Sequence, residues 1–331
     1  MKRFCLALSV VVAALLVLSS ARKTTTIFII GDSTAANKRN YQTYPERGWG
    51  MMLQGCFDER ILIDNHAVNG QSSKTFIDGG RWQKVLDRIK PGDYVIIQFG
   101  HNDEKPNPQR HTDPGTTFDA NLRKFVQETR AKGGNPVLMN AVVRRNFYQK
   151  VDNSIDDESL RDSKYSDEKV NSDTLVDTHG AYLISPRTVA REQGVPFVDA
   201  NKITHDIEQS MGIEGSRRLH IWLKPGELAS APDGRKDNTH YCVYGARIVA
   251  NALADALGEQ VPALKKHVRH YDYVVSAKGR GDFLSLQEAV DAVARTGKKA
   301  RIIVLDGKWE KPKMPKGHKI KIVKCWDASV Q

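Results

Sequence analysis

The chain has 331 residues, 40% hydrophobic and 27% charged, which is enough apolar material for one large core plus a small second unit and excludes a disordered or fibrous chain. Its formal net charge of +11 points to an acidic partner, either nucleic acid or a polyanionic polysaccharide, unless the charge serves only solubility. Four cysteines with no CxxC pair, an odd three without Cys5, indicate neither a disulfide framework nor a cysteine zinc site.

In chain order, residues 1–21 read as a cleaved signal peptide: Lys2 and Arg3, an apolar stretch over 4–18, then Ser19, Ser20 and Ala21. A membrane anchor is the alternative, because the apolar stretch is only slightly short of a span and Arg22 and Lys23 follow it. Export to the periplasm or beyond favours the polysaccharide over nucleic acid. Cleavage removes Cys5 and leaves Cys56, Cys242 and Cys325, and an oxidising compartment would permit a Cys56–Cys242 bridge.

From 26 to about 257, short apolar runs alternate with helical periodicity. Strands are expected at 27–30, 61–65, 94–99, 137–142 and 196–199, each suited to burial in a parallel sheet. Helices are expected at 48–57, 75–89, 117–131, 179–193 and 244–257, with Pro91-Gly92 and Gly133-Gly134 as stops. The alternation defines an α/β fold, a three-layer α/β/α sandwich doubly wound about a parallel sheet. Residues 149–177 interrupt it with a polar stretch, placed as a surface insertion near the mouth of the sheet. Beyond Val261 and Pro262 come a strand at 271–275, a Gly-rich turn at 279–281, a helix at 284–295 and strands at 301–305 and 319–323. This second unit is too small to hold a core alone and is expected to dock on the first.

Four clusters fall at or just beyond strand ends: Gly31-Asp32-Ser33, Asn69-Gly70, Gly100-His101-Asn102-Asp103 and Asp237-Asn238-Thr239-His240. Each alone reads as a turn or a cap. Together they lie where open α/β sheets place ligands, at the carboxyl ends of strands. The residue types suit acyl transfer, with Ser33 as nucleophile, His240 as base and Asp237, one helical turn away on a loop or helix start, orienting the imidazole. The backbone N–H groups of Ser33 and Gly70 and the side-chain amide of Asn102 would receive the oxyanion. A protonated imidazole cannot accept the serine proton, so activity is expected to fall in acid. A metal site of His101, Asp103 and His111 matches no recognised ligand spacing, so no metal or other cofactor is assigned. Trp49, Trp82 and Trp222 suit core or rim packing, with sugar platforms as the other reading.

In this order the clusters resemble the four blocks of the SGNH (GDSL-type) hydrolase superfamily, over roughly 26–257. The phrases Pro45-Glu46-Arg47-Gly48-Trp49-Gly50, Phe99-Gly100-His101-Asn102-Asp103 and Asp237-Asn238-Thr239-His240-Tyr241 look like its rhamnogalacturonan acetylesterase branch. That resemblance implies a flavodoxin-like sandwich, a Ser-His-Asp triad, no metal, and acetyl groups on rhamnogalacturonan or a related sugar as substrate. Gln71 departs from it, since a basic residue is expected after the block glycine. The tail over 271–324 is similar to the first part of a pectin methylesterase, in Val274-Val275, Gly279-Arg280-Gly281-Asp282-Phe283 and Leu286-Gln287-Glu288-Ala289-Val290. That family folds as a parallel β-helix, of which the tail would form the first coil. The region carrying that family's catalytic residues has no counterpart here, so no methylesterase site is assigned.

The expected organisation is a signal peptide at 1–21, an acetylesterase domain at 22–262 and a pectin methylesterase-like fragment at 263–331. The expected function is a secreted esterase acting on acetylated pectic polysaccharide, with no membrane contact after signal removal. The alternatives are an esterase for acetylated xylan or small acyl esters and a non-catalytic glycan-binding protein. No nucleic-acid-binding motif accompanies the charge.

Overall fold

A computed structural model describes residues 24–149, 160–297 and 299–331; the expected signal peptide lies outside them. Strand β1 (Thr25–Gly31) is apolar on both faces because both are covered. Ile27 and Ile29 enter one buried cluster and Phe28 and Ile30 the other. Burying such a side chain contributes about 1.5–3 kcal/mol, so the run belongs in the interior of a sandwich. With β2 (Glu46–Arg47) set aside, β1 pairs in parallel with β3 (Ile61–Asn65) on one side and β4 (Tyr94–Gln98) on the other. Strands β5 (Asn135–Met139) and β7 (Phe197–Val198) extend the sheet beyond β4 in the order β3-β1-β4-β5-β7.

One face of the sheet is covered by Trp49–Met52, the 3-10 turn Leu53–Cys56 and the long helix Val243–Gln260. The other is covered by Ser73–Asp78, Arg81–Leu86, Thr117–Ala131 and Ile184–Gln193. The α/β/α sandwich therefore stands, with local corrections. The expected helix at 75–89 is two short helices, broken where Gly80 takes a left-handed φ of 66°. The expected helix at 48–57 tightens to 3-10 after Met52, and that at 179–193 opens with a 3-10 turn, Gly180–Leu183. Strand β5 ends at Met139 rather than 142.

A second, antiparallel sheet frames the carboxyl end of the first. In it β2 and β6 (Arg161–Asp162) flank β9 (Arg235–Cys242), which also pairs with β8 (His220–Leu223). The tail forms a parallel sheet of β10 (Tyr273–Ser276), β11 (Lys299–Trp309) and β12 (Lys319–Val330), with helix Leu286–Thr296 on one face. It is fixed to the rest by polar contacts: Arg247 donates to the Tyr271 carbonyl and faces Asp282, and Arg47 donates to the Gly279 carbonyl at 3.0 Å.

Candidate active site

Ser33 follows β1 in a turn whose shape is set by its neighbours. Gly31 is required there, because a Cβ would stand 2.6 Å from the Gln98 carbonyl oxygen on the adjacent strand. Asp32 is fully buried and accepts from the Thr34 backbone N–H at 2.9 Å and its hydroxyl at 2.8 Å. The turn closes by a bond from Ala36 N–H to the Asp32 carbonyl. Lys38, itself buried, donates to the Ser33 carbonyl at 2.7 Å and to Asn69 Oδ1 at 2.9 Å, and pairs with Glu46 at 2.7 Å. The Ser33 turn and the Asn69-Gly70 turn are thereby tied through one ammonium group.

The Asp237–His240 segment departs from expectation in its secondary structure. It lies within strand β9, not on a loop or helix start. Tyr241 pairs with His220 and Asp237 with Ile221, so one step on β8 faces four on β9, and 238–240 bulge out of the ladder. That bulge carries His240 across to Ser33. Its Nε2 lies 2.8 Å from Ser33 Oγ and its Nδ1 3.0 Å from Asp237 Oδ2. Asp237 is fully buried; its Oδ1 accepts the backbone N–H groups of Thr239 and His240, and its Oδ2 also accepts from Arg235 at 2.8 Å. Burial alone would raise its pKa, but the charge and hydrogen bonds of His240, the Arg235 guanidinium and the backbone donors hold the carboxyl well below the usual carboxylate range. An ionised Asp237 keeps the imidazole proton on Nδ1 and leaves Nε2 to accept from the serine hydroxyl.

Gly70 adopts a left-handed φ of 75°, and the Asn102 side-chain amide donates to the Gln71 carbonyl at 3.1 Å. Gln71 itself is uncharged, yet a charge stands beside Gly70: an ideal Cβ there would lie 3.5 Å from Arg110 Nη2. Beside the Ser33 turn His101 is buried, with Nδ1 3.3 Å from Asp32 Oδ2 and its ring edge-on to His179. His179 bonds Glu104, which also pairs with Arg144. Asp103 accepts from Ser73 N–H and from the Thr112 hydroxyl, and His111 bonds the Lys105 carbonyl and Asp113. Among the described residues no group of three or more His, Cys, Asp or Glu is placed to hold a metal ion.

The Cys56–Cys242 bridge is not formed, while the tryptophans pack as core or rim residues. Cys56 and Cys242 are unpaired: Cys56 contacts Asn251 and Arg247, while Cys242 donates to the Arg218 carbonyl. Burial pushes the Cys56 thiol up to about 11 despite the nearby Arg247. Trp49 and Trp82 are core residues; Trp222 is half-buried, edge-on to Tyr165, with its indole N–H on Asn238. The insertion contributes a buried carboxylate, Glu168, which pairs with Arg145 and Arg217 and accepts from Asn238 next to the triad. Lys38, Arg235, Arg110 and Glu168 have no part in the sequence analysis above, and Glu46 enters it only within a resemblance phrase. Their signals were single charged residues, ordinarily surface-exposed; what identifies them is the partner each meets in the fold, long-range for Lys38 with Asn69 and Glu168 with Asn238, two residues away for Arg235 with Asp237.

A serine just past the end of β1, with an imidazole and a carboxylate in line from β9, fits a hydrolase of carboxylic esters built on an α/β/α sandwich. The chain belongs to the GDSL-like Lipase/Acylhydrolase family, whose model matches residues 29–221. It is similar to the rhamnogalacturonan acetylesterase RhgT of Bacillus subtilis (strain 168), with 35% identity over 247 residues, covering 75% of this chain and 95% of the relative. A second relative from the same organism, the probable rhamnogalacturonan acetylesterase YesY, is 30% identical over 241 residues, 70% of this chain and 92% of the relative. Among solved structures, protein YxiM of Bacillus subtilis superposes with a TM-score of 0.53 at 24% identity, over 72% of this chain and 57% of that one, which supports the fold.

Proposed function

We propose that this chain is an exported carbohydrate esterase that removes acetyl groups from rhamnogalacturonan-type pectic polysaccharide, with Ser33 as nucleophile, His240 as base and Asp237 as the orienting carboxylate. The observation that carries the mechanism is the line from Ser33 Oγ to His240 Nε2 at 2.8 Å and from His240 Nδ1 to Asp237 Oδ2 at 3.0 Å. Ser33 Oγ attacks the acetyl carbonyl carbon as its proton passes to His240 Nε2. The tetrahedral oxyanion is received by the N–H groups of Ser33 and Gly70 and by the second N–H of the Asn102 amide, whose first is held by the Gln71 carbonyl. Collapse expels the sugar oxygen, which takes the proton from His240 and leaves acetyl-Ser33. Water, deprotonated by His240, attacks this ester and releases acetate, and the serine recovers its proton.

The substrate assignment is supported by the names of the two acetylesterase relatives, by the net positive charge, which suits a polyanion, and by the tail's resemblance to pectin methylesterase. Export rests on the charge and apolar pattern of residues 1–21. The test is acetate release by the signal-free protein from acetylated rhamnogalacturonan, acetylated homogalacturonan and acetylated xylan, beside Ser33→Ala. Ser33→Ala is expected to lower kcat by about 10⁴-fold or more with an unchanged circular dichroism spectrum. A folded Ser33→Ala protein that keeps most of its activity would sink the mechanism; fastest release from acetylated xylan would sink the substrate class.

A further inference from the structure

The mechanism uses the charge on Asp237, and Lys38 holds the Ser33 and Asn69 turns together, but Arg110 has no part so far. The guanidinium of Arg110 lies against Gly70, with Nη2, Cζ and Nη1 at 3.5, 3.8 and 4.0 Å from the position of an ideal Cβ. No side chain intervenes, because Gly70 has none and its left-handed φ of 75° disfavours one. Arg110 is half-buried, and among the described residues its guanidinium has no ion pair and no hydrogen bond. The other cations near the nucleophile are neutralised: Lys38 by Glu46 and Arg235 by Asp237.

The loop holding Arg110 is fixed at its base. Arg110 N–H and His111 N–H both bond the Asn107 carbonyl, Thr112 N–H bonds the Asp103 carbonyl, and the Thr112 hydroxyl bonds buried Asp103. His111 closes back on the Lys105 carbonyl at 3.0 Å. A partly desolvated guanidinium presenting two N–H edges from a braced loop is arranged to take a planar anion in bidentate fashion.

We infer that Arg110 binds the carboxylate of a uronate residue of the substrate and makes the enzyme selective for acetylated polymers that carry carboxylates. This rests on the pectic reading of the site and deepens it. The acyl oxygen sits at the Gly70 N–H during attack, and a uronate on the acetylated ring or its neighbour puts its carboxylate about a sugar's width away. Arg110 stands against Gly70, beside the place its Cβ would take. Its contribution is to substrate binding and leaves the acyl chemistry to Ser33 and His240.

The experiment uses the full mature chain as wild type, Arg110→Gln and Arg110→Lys, with thermal melts to confirm folding. One arm compares acetate release from acetylated rhamnogalacturonan with release from the same polymer after its carboxyl groups are reduced to alcohols. The other measures inhibition of p-nitrophenyl acetate hydrolysis by galacturonate. Arg110→Gln is expected to lower the ratio of kcat/KM for native over reduced polymer by about 10- to 100-fold, mostly through KM, and to weaken galacturonate inhibition by a similar factor. Arg110→Lys, which keeps the charge without the fork, should recover part of both. A ratio and an inhibition constant unchanged in Arg110→Gln overturn the proposal. So does an equal fall on every ester, which would place Arg110 on the oxyanion or in folding. If wild type releases acetate from neither polymer, the pectic reading has failed; the galacturonate arm then decides on Arg110 by itself, and equal inhibition of wild type and Arg110→Gln, or none, overturns it.

Discussion

His101 sits against Asp32 in the Ser33 turn with both ring nitrogens buried and without a well-aligned hydrogen bond. Burial pushes its pKa down to about 4, although Asp32 pulls the other way. Burial likewise opposes ionisation of Asp32, but His101 and the two bonds from Thr34 prevail and hold it at about 2. At neutral pH the pair is therefore an ionised Asp32 beside a neutral imidazole. Because the unfolded chain takes up a proton at this histidine near its ordinary 6.5 and the folded chain only near 4, the unfolded state binds more protons between those values. Stability from His101 is then present above about 6.5 and lost as pH falls toward 4, by on the order of 3 kcal/mol. Asp103, which burial raises to about 6, has the opposite slope between its ordinary 3.8 and 6; it is common to wild type and variant. Urea midpoints at pH 7 and 4.5 should show wild type losing more stability than His101→Gln. Parallel losses would mean that His101 is not the group responsible. At this scale the motif residues Ser33, Gly70, Asn102, Asp237 and His240 were legible because small, amide and imidazole residues at strand ends have a recognisable chemistry. Lys38 and Arg110 were not, because a lysine or arginine in a polar loop looks the same whether it faces water or a glycine.

The elements that read well from sequence are those whose burial is two-sided or whose periodicity is long. Strand β1 and helix Thr117–Ala131 are the clearest examples: a continuous apolar run in one, and Phe118, Leu122, Phe125 and Val126 on one face of the other. Helix Ala200–Ser216, kinked where Gly212 takes a φ of 65°, has no counterpart in the sequence-based elements although Asp199 caps it through Lys202 N–H, because the spaced Ile203, Ile207 and Met211 are diluted by polar residues. Strand β9 was missed because its bulge removes the alternation by which a strand is recognised. The same strand hands over directly to helix Val243–Gln260, and that junction is tight. A Cβ at Gly245 would stand 2.0 Å from the Leu219 carbonyl oxygen and 2.7 Å from its carbon. Gly245→Ala must therefore push the start of the helix away from the 217–219 turn, at about 1–3 kcal/mol or more. The melting temperature should fall by several degrees, and kcat/KM should fall with it, since His240 precedes the helix by three residues. An unchanged melt would show that the backbone there yields without strain.

Across the whole molecule, the tail and the hydrolase body meet at Arg47 and Arg247. Arg47 donates to Gly279 in the tail and to the carbonyls of Tyr41, Tyr44 and Glu46, and Glu46 in turn pairs with the Lys38 that holds Ser33. A chain ended at His270 would leave Arg247 without the Tyr271 carbonyl and Asp282, and Arg47 without Gly279. It should melt earlier and show a lower kcat/KM on every ester, including p-nitrophenyl acetate. Identical melts and kinetics for the shortened chain would show that the tail is mechanically independent of the site. Long-range closure also governs when the site first exists. Ser33 and His240 are 207 residues apart in sequence. A chain that has assembled β1, β3 and β4 holds Ser33, Gly70 and Asn102 together yet has no base, since β9 has still to arrive by closing a very long loop. Ester turnover during refolding is thus silent to every partly assembled form and times the arrival of β9.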